Sequence, residues 1–153
     1  PSDTVFWDEE RQLMFGGDHL LSHISSNPLI SKPLDGSSDR TRSLINYRDS
    51  LKETAAMPVS IMLSGHGLAI TDHAALIEKR LAGQDRRTEK IYKLVAEGHD
   101  SPHSVANAIW GDIALTQAYL TLSEVIGHLD ILMEDGRVVE NAGEKYSTFE
   151  VTS

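Results

Sequence analysis

Two stretches decide the fold expected of this chain, VFWDEERQLMFGGDHLL at 5–21 and VSIMLSGHG at 59–67. The first contains two runs of β-forming residues, 4–8 and 11–16, separated by an acidic turn. This pattern predicts a hairpin, or two adjacent strands of one sheet. The second stretch is a short apolar run with β-branched residues, which predicts a buried strand. Both stretches end in turns that contain glycine, so each predicted strand stops abruptly.

A carboxylate and an imidazole follow these two predicted strands directly. Asp18 comes after two glycines, and His66 lies between two glycines. Strand ends hold side chains rigidly at the rim of a sheet, and flanking glycines leave room for a metal or a substrate. Carboxylate oxygens and neutral imidazole nitrogens are suitable ligands for zinc, iron or manganese. Taken alone, each residue is more often an ordinary turn residue than a ligand, and two ligands do not complete a metal site.

The rest of the chain is predicted to be mostly helical, with a hairpin at its end. The predicted elements are a helix from Ser37-Ser38-Asp39 to about 54, a helix from Thr71 or Asp72 to about 82, a helix over 85–96, a short helix from Ser101-Pro102 to about 109, a long helix over 112–135 and a hairpin of Arg137–Glu140 with Tyr146–Val151. Gly83 is expected to break or bend the chain between two helices. Helices followed by a β-hairpin are typical of a winged-helix domain. We therefore predict an α+β fold with domains 1–83 and 84–153.

Composition and charge exclude several classes of function. The chain has 153 residues, a formal net charge of −9 and no cysteine, which excludes disulfides, thiolate metal sites and a cysteine nucleophile. It contains no apolar run of the roughly 18 residues that a membrane helix needs, and no leader opens the sequence shown. We expect a cytoplasmic protein without a membrane partner.

The acidic charge is concentrated in the second half of the chain. No lysine or arginine occurs between Lys93 and Arg137, whereas seven acidic residues do. Nucleic-acid binding depends on lysine and arginine that neutralise phosphates. A winged-helix module that binds nucleic acid or has a regulatory role is therefore an alternative, and the acidic tail is a poor surface for nucleic acid.

The GD and GHG turns, in this order and at strand ends, resemble the metallo-β-lactamase fold superfamily of metal-dependent hydrolases. The tail is similar to the helical, winged-helix-like domain of one branch of that superfamily, in RRTEKI at 86–91, GHLDIL at 127–132 and DGRV at 135–138. The resemblance implies one half of an αββα sandwich followed by that small domain. It also implies that Asp18 bridges two metal ions and that His66 is a terminal ligand of one of them. Position alone, next to these residues, makes His19 and Ser64 candidates for supporting or lining the pocket. A surface role is the alternative for His19.

The resemblance implies a metal-activated water that attacks an ester, thioester, lactone, amide or phosphodiester. Zinc is the expected metal, as two ions, with iron or manganese as alternatives. The histidine-rich H-x-H-x-D-H motif of the superfamily is absent, and Pro1-Ser2-Asp3-Thr4 resembles the end of a turn that follows an upstream histidine ligand. We therefore expect the C-terminal half of a longer hydrolase, which by itself is inactive and holds no metal stably.

Two further expectations concern partners and the remaining histidines. Half a sandwich exposes sheet edges and a core face, so we expect self-association or pairing with the missing N-terminal half. A non-catalytic interaction fragment is the third hypothesis. Position and spacing predict that His73 faces solvent and that His128, on the apolar stripe of the long helix, is a packing residue.

Overall fold

The computed structural model describes residues 4–31, 40–144 and 146–152. The predicted features at Pro1–Asp3 and Ser37–Asp39 lie outside these ranges. The elements of the described residues are β1 (Phe6–Asp8), β2 (Leu13–Gly17), α1 (Ser43–Ala55), β3 (Ile61–Ser64), α2 (His73–Ala96), α3 (Pro102–Trp110), α4 (Ile113–Thr116), α5 (Ala118–Glu134), β4 (Val138–Asn141) and β5 (Thr148–Val151). The predicted α+β class is confirmed.

The first three strands form one sheet in the order β1-β2-β3. β1 pairs antiparallel with β2, as the predicted hairpin requires, whereas β2 pairs parallel with β3. Met14 and Met62 are partners on the buried face, where they form the core of this part together with α1 and α2. The prediction that the 59–63 run is buried is only half right. Ile61 and Leu63 are exposed on the other face of the sheet.

The described residues divide into two compact units. The first takes the described residues up to Ser26 together with Asn46–Gly83, and the second takes the described residues of Asn27–Ile45 and of Gln84–Ser153. Each unit has its own cluster of buried apolar side chains. The described residues of Asn27–Ile45 also belong to the second unit. The domains 1–83 and 84–153 drawn from the sequence stay a prediction.

Gly83 does not break the chain into two helices, so that prediction is wrong. α2 runs without interruption from His73 to Ala96. Ile77 is buried in the apolar cluster of the first unit, and Ile91 and Val95 are buried in that of the second. A glycine inside a helix costs only about 1 kcal/mol relative to alanine, and packing on both sides of Gly83 outweighs this cost.

The second unit contains α3, α4, α5 and the hairpin of β4 and β5. Ser101 caps α3 with a reciprocal capping box and Pro102 occupies its first turn, which confirms the predicted start. The predicted long helix is interrupted, because Gln117 (φ −122°, ψ 36°) leaves the helical region between α4 and α5. β4 and β5 pair antiparallel, with Val138 opposite Val151, so the predicted hairpin is confirmed.

None of the helices in the described ranges combines the length and apolar character that crossing a bilayer requires.

Candidate metal centre

Parallel pairing brings Asp18 and His66 to the same edge of the sheet. β2 ends at Gly17 and β3 ends at Ser64, and the carboxyl ends of parallel strands lie side by side. The distance from Asp18 Oδ1 to His66 Nε2 is 3.7 Å, and the two side chains are 56% and 76% exposed. The structure therefore places a carboxylate and an imidazole together, with both accessible from solvent.

Glycine at position 65 is what leaves room for the Asp18 carboxylate. The Gly65 amide donates a 2.7 Å hydrogen bond to the Gly17 carbonyl, which holds the two turns against each other. A β-carbon on Gly65 would lie 2.8 Å from Asp18 Oδ1, closer than real β-carbons approach other heavy atoms. Any other residue at 65 would displace the carboxylate or the turn. The glycine before His66 thus has a steric role that the sequence pattern alone does not reveal.

The neighbouring residues His19 and Ser64 are engaged with the protein. His19 is buried, and its Nε2 forms a 2.9 Å hydrogen bond with Thr54 Oγ1. Its ring packs edge-on against Tyr47, with the ring centroids 5.8 Å apart. The Ser64 hydroxyl donates to the Leu20 carbonyl at 2.5 Å. Both side chains brace the turn that carries Asp18, and their part in lining a substrate pocket stays a prediction.

Two other histidines are buried, each within its own unit. The prediction that His73 faces solvent is wrong, because its ring is buried at the start of α2 and its Nε2 lies 3.1 Å from the Met57 carbonyl. The prediction for His128 is confirmed, because its Nδ1 shares a 2.8 Å hydrogen bond with Thr88 Oγ1 inside the second unit. Local periodicity did not predict that His73 is buried, because burial of the first residue of a helix depends on contacts with residues distant in the sequence.

The donor set fits part of a divalent-cation site. Zinc–oxygen and zinc–nitrogen bonds are about 2.0–2.2 Å long, so two donors on one tetrahedral ion lie roughly 3.4 Å apart. The observed 3.7 Å between Asp18 Oδ1 and His66 Nε2 is within a few tenths of an ångström of that separation. Across the ranges that the structure describes, however, no group of three or more His, Cys, Asp or Glu side chains could hold a metal ion. A complete site needs further ligands.

The acidic residues of α5 are partly committed to internal ion pairs. Both terminal nitrogens of Arg40 donate to the carboxylate of Asp130. Glu124 lies 3.1 Å from Arg87 Nε, and burial raises the pKa of Glu124 more than Arg87 lowers it. These carboxylates therefore serve the interior of the second unit and do not form a second cluster of metal ligands.

The chain was compared with family models, with known protein sequences and with solved structures. No protein-family model matches the chain. The chain is 36% identical over 131 residues to YqjP of Bacillus subtilis (strain 168), described as a probable metallo-hydrolase, and the match covers 86% of the chain and 41% of that protein.

Solved structures agree on the fold. A metallo-beta-lactamase family protein from Thermus thermophilus superposes with a TM-score of 0.78 at 22% identity, over 97% of this chain and 44% of that one. A beta-lactamase domain protein from Burkholderia ambifaria gives a TM-score of 0.78 at 21% identity, over 95% of this chain and 43% of that one. The chain thus spans less than half the length of these relatives. The predicted resemblance to the metallo-β-lactamase family is confirmed, whereas the winged-helix-like character of the tail stays a prediction.

Proposed function

The chain has part of the metallo-β-lactamase fold, and we propose that it is the C-terminal portion of a metal-dependent hydrolase in which Asp18 and His66 supply two of the metal ligands. The observation that carries the proposal is the 3.7 Å approach of an accessible carboxylate and an accessible imidazole at the ends of two parallel strands. The probable metallo-hydrolase YqjP supports the class of reaction at the level of the family.

The chemistry of the two side chains suits the roles proposed for them. A divalent cation, when bound, lowers the pKa of water and polarises a carbonyl or phosphoryl oxygen. A carboxylate such as that of Asp18 has two oxygens and could contact two ions, and the Asp18 side chain is 56% exposed. His66 would bind through Nε2, which requires its ring proton on Nδ1. We propose zinc, as two ions, with iron or manganese as alternatives, and a small ester-like substrate.

Two ligands are too few for a stable site, so we propose that this chain alone neither hydrolyses substrate nor retains metal. The remaining ligands would come from a part of the protein that this chain does not include, because the chain spans 41–44% of its relatives. Thioesters, lactones, amides and phosphodiesters are the alternatives to a simple ester, since the fold supports many reactions. The cytoplasmic location expected from the sequence also stays a prediction.

Weak metal binding can be measured directly on the chain with paramagnetic Mn²⁺. We expect Mn²⁺ to broaden the NMR signals of Asp18, Gly65 and His66 at metal concentrations that leave the second unit unaffected. Asp18→Ala or His66→Ala should abolish this selective broadening, because each removes one of two donors. His103→Ala is the matched control, because His103 is also an exposed histidine and lies in α3 of the second unit. Unchanged broadening in both variants would refute the assignment of the site.

An exposed sheet face supports the proposed pairing with the rest of a longer protein. Phe6, Phe15 and Leu63 are in register across the three strands, and they lie on the face opposite the buried methionines. Phe6 is 68% and Phe15 is 50% exposed. Contiguous apolar surface of this kind marks an interaction site. We propose that the absent part of the protein covers it, and that the chain self-associates through it when alone.

Sedimentation of the isolated chain tests this surface. We expect concentration-dependent association that Phe15→Lys reduces, because a charge on a strand opposes packing against its face. Leu68→Lys is the control, since Leu68 is exposed to a similar degree as Phe6 but lies in the loop after β3. Equal association of the parent chain and both variants would exclude the sheet face as the contact.

A winged-helix module remains a second candidate, favoured by the β4–β5 hairpin that follows α5. Its recognition helix would present no lysine or arginine, because none lies between Lys93 and Arg137. If the tail nevertheless binds nucleic acid, its affinity for duplex DNA should fall steeply with salt. We expect no salt-dependent binding, and its detection would favour this candidate over the hydrolase.

A further inference from the structure

The loop that carries Asp18 is held almost entirely by side chains from other segments. Five consecutive backbone carbonyls follow β2, from residue 18 to residue 22, and each accepts a hydrogen bond from a side chain. The donors are Ser26 Oγ to the carbonyl of Asp18 (2.5 Å), Tyr47 Oη to His19 (2.8 Å), Ser64 Oγ to Leu20 (2.5 Å) and Arg80 Nη2 to Leu21 (3.0 Å) and Ser22 (3.3 Å). The loop therefore has a defined conformation without being a helix or a strand.

Arg80 is the charged donor in this set and the one that contacts two carbonyls. Hydrogen bonds from a charged donor are roughly twice as strong as neutral ones. Arg80 lies in α2 and reaches back to a loop 58 and 59 residues earlier in the sequence. Its buried Nε has no hydrogen-bond partner among the described residues. The guanidinium holds the loop through the two hydrogen bonds that Nη2 donates to the loop carbonyls. They form although the buried Nε–H has no acceptor in the part of the chain that the structure describes.

Ser22 extends the contact from Arg80 to the turn that carries His66. The Leu68 amide donates to Ser22 Oγ at 3.3 Å, and Leu68 is two residues after His66. Gly67 has φ +89°, and a β-carbon there would lie 2.6 Å from Ser22 Oγ. The close approach of the two loops at this point therefore requires glycine at 67. Arg80 holds the Ser22 carbonyl, and the Ser22 hydroxyl holds the His66 turn.

We propose that Arg80 is a positioning residue that sets the separation between the Asp18 carboxylate and the His66 imidazole. It acts through the carbonyls of Leu21 and Ser22 on one side and through the Ser22–Leu68 contact on the other. Without it, the Ser22 end of the Asp18 loop would lose its charged anchor. The Gly65–Gly17 and Ser64–Leu20 hydrogen bonds would still join the two segments, but the separation of the two donors would become more variable. The inference rests on the proposed function, because it concerns the same pair of ligands.

The test compares Arg80→Met with Lys79→Met in the 153-residue chain. Lys79 is the preceding residue of α2 and is exposed, so it controls for loss of a positive charge from the helix. We expect Arg80→Met to weaken Mn²⁺ binding, measured by broadening of the Asp18 and His66 signals, by about tenfold or more, as is usual when a residue that orients ligands is removed. Lys79→Met should bind as the parent chain does, and Arg80→Lys should recover part of the affinity.

A second readout does not involve metal. The Leu68 amide should exchange with solvent at least several-fold faster in Arg80→Met, because its acceptor Ser22 is no longer held. If Arg80→Met does not fold, Ser22→Ala carries the test, since it removes the acceptor of the Leu68 amide and leaves Arg80 in place. Ser22→Ala should also weaken Mn²⁺ binding.

The outcomes separate this inference from the proposed function. If Asp18→Ala and His66→Ala leave Mn²⁺ binding unchanged, the proposed site itself is wrong. If those two variants abolish binding while folded Arg80→Met, or Ser22→Ala in its place, binds Mn²⁺ as tightly as the parent chain, the site stands and the positioning role is overturned.

Discussion

Two aspartates, one in each compact unit, show opposite uses of the same side chain. The Asp18 carboxylate lies at a strand end with more than half of its surface exposed, and its neighbour His66 is 3.7 Å away. The Asp130 side chain is 2% exposed, and its two oxygens accept from the two terminal nitrogens of Arg40. Asp130 is thus committed to an internal partner, whereas Asp18 can still bind a ligand.

The histidines repeat the contrast. His66 is exposed next to Asp18, whereas His128 is buried and bonded to Thr88. Helix faces that meet a core bury their polar side chains in fixed pairs, because an unpaired buried polar group is costly. The rim of a sheet imposes no such pairing. Exposure and location therefore distinguish a candidate ligand from a structural residue, and residue type does not.

The largest expected effect comes from breaking the buried ion pair. Arg40→Met leaves the Asp130 carboxylate buried without its cation, and we expect the free energy of unfolding to fall by about 3 kcal/mol. Asp18→Asn should change it by less than about 0.5 kcal/mol, as is usual at exposed positions. Urea denaturation at neutral pH measures both.

A double variant sharpens this first prediction. Arg40→Met with Asp130→Met removes both charges, and most of the lost stability should return, because an apolar pair of similar size can replace a buried ion pair. If Arg40→Met and Asp18→Asn were equally destabilising, the contrast between a committed and an accessible aspartate would be wrong.

Two glycines provide the next comparison, with an intermediate effect. A β-carbon at Gly127 would lie 2.9 Å from Leu44 Cβ, so Gly127→Ala overpacks the second unit, and we expect a loss of about 1–2 kcal/mol in unfolding free energy. Gly65→Ala should have a smaller effect on stability, because the atom it meets is a carboxylate oxygen of exposed Asp18.

In metal binding the order of the two variants should be reversed, so that Gly65→Ala has the larger effect and Gly127→Ala the smaller. Gly65→Ala displaces the Asp18 carboxylate and should weaken Mn²⁺ broadening at His66, whereas Gly127→Ala should leave it unchanged. NMR spectra with and without Mn²⁺ provide the measurement. Retention of Mn²⁺ binding by Gly65→Ala would show that the carboxylate adapts without loss.

The smallest effect concerns Glu124, whose pKa in the folded protein is raised from its usual value chiefly by burial. The folded state therefore favours the protonated acid, which stabilises the protein below the unfolded pKa and ceases to do so as the pH rises through the folded pKa. Relative to Glu124→Gln, the parent chain should therefore gain stability as the pH is lowered from neutral through the raised pKa of Glu124. Denaturation of both proteins at several pH values tests this, and the opposite trend would mean that pairing with Arg87 outweighs burial.

Much of the local structure was predictable because its signals are local. The Ser101-Pro102 start of α3, the two hairpins and the apolar stripe of α5 follow from capping, turn and periodicity rules within a few residues. The candidate ligands Asp18 and His66 were identified from their turns and from the family resemblance. The continuity of α2 through Gly83 was missed, because two separate apolar clusters stabilise its halves.

Arg80 was also missed, for a related physical reason. Nothing in the sequence around it distinguishes it from the other basic residues of α2, since its partners are the carbonyls of a distant loop. Every residue has a backbone carbonyl, so the sequence does not show which carbonyls will accept a hydrogen bond from an arginine. Burial of His19 and His73 depends in the same way on contacts with Thr54 and Met57.

Local sequence patterns predicted most of the strands, turns and helices, because these depend mainly on neighbours along the chain. The exceptions are the continuity of α2 through Gly83 and the interruption at Gln117. The sequence also supplied a carboxylate and an imidazole at two strand ends. The parallel pairing of β2 and β3 became evident from the three-dimensional fold. This pairing brings residues 48 positions apart in the sequence to within 3.7 Å of each other. That pairing depends on burial of Met14 and Met62 in a shared core, and hydrophobic contacts of this kind are not encoded in any local pattern.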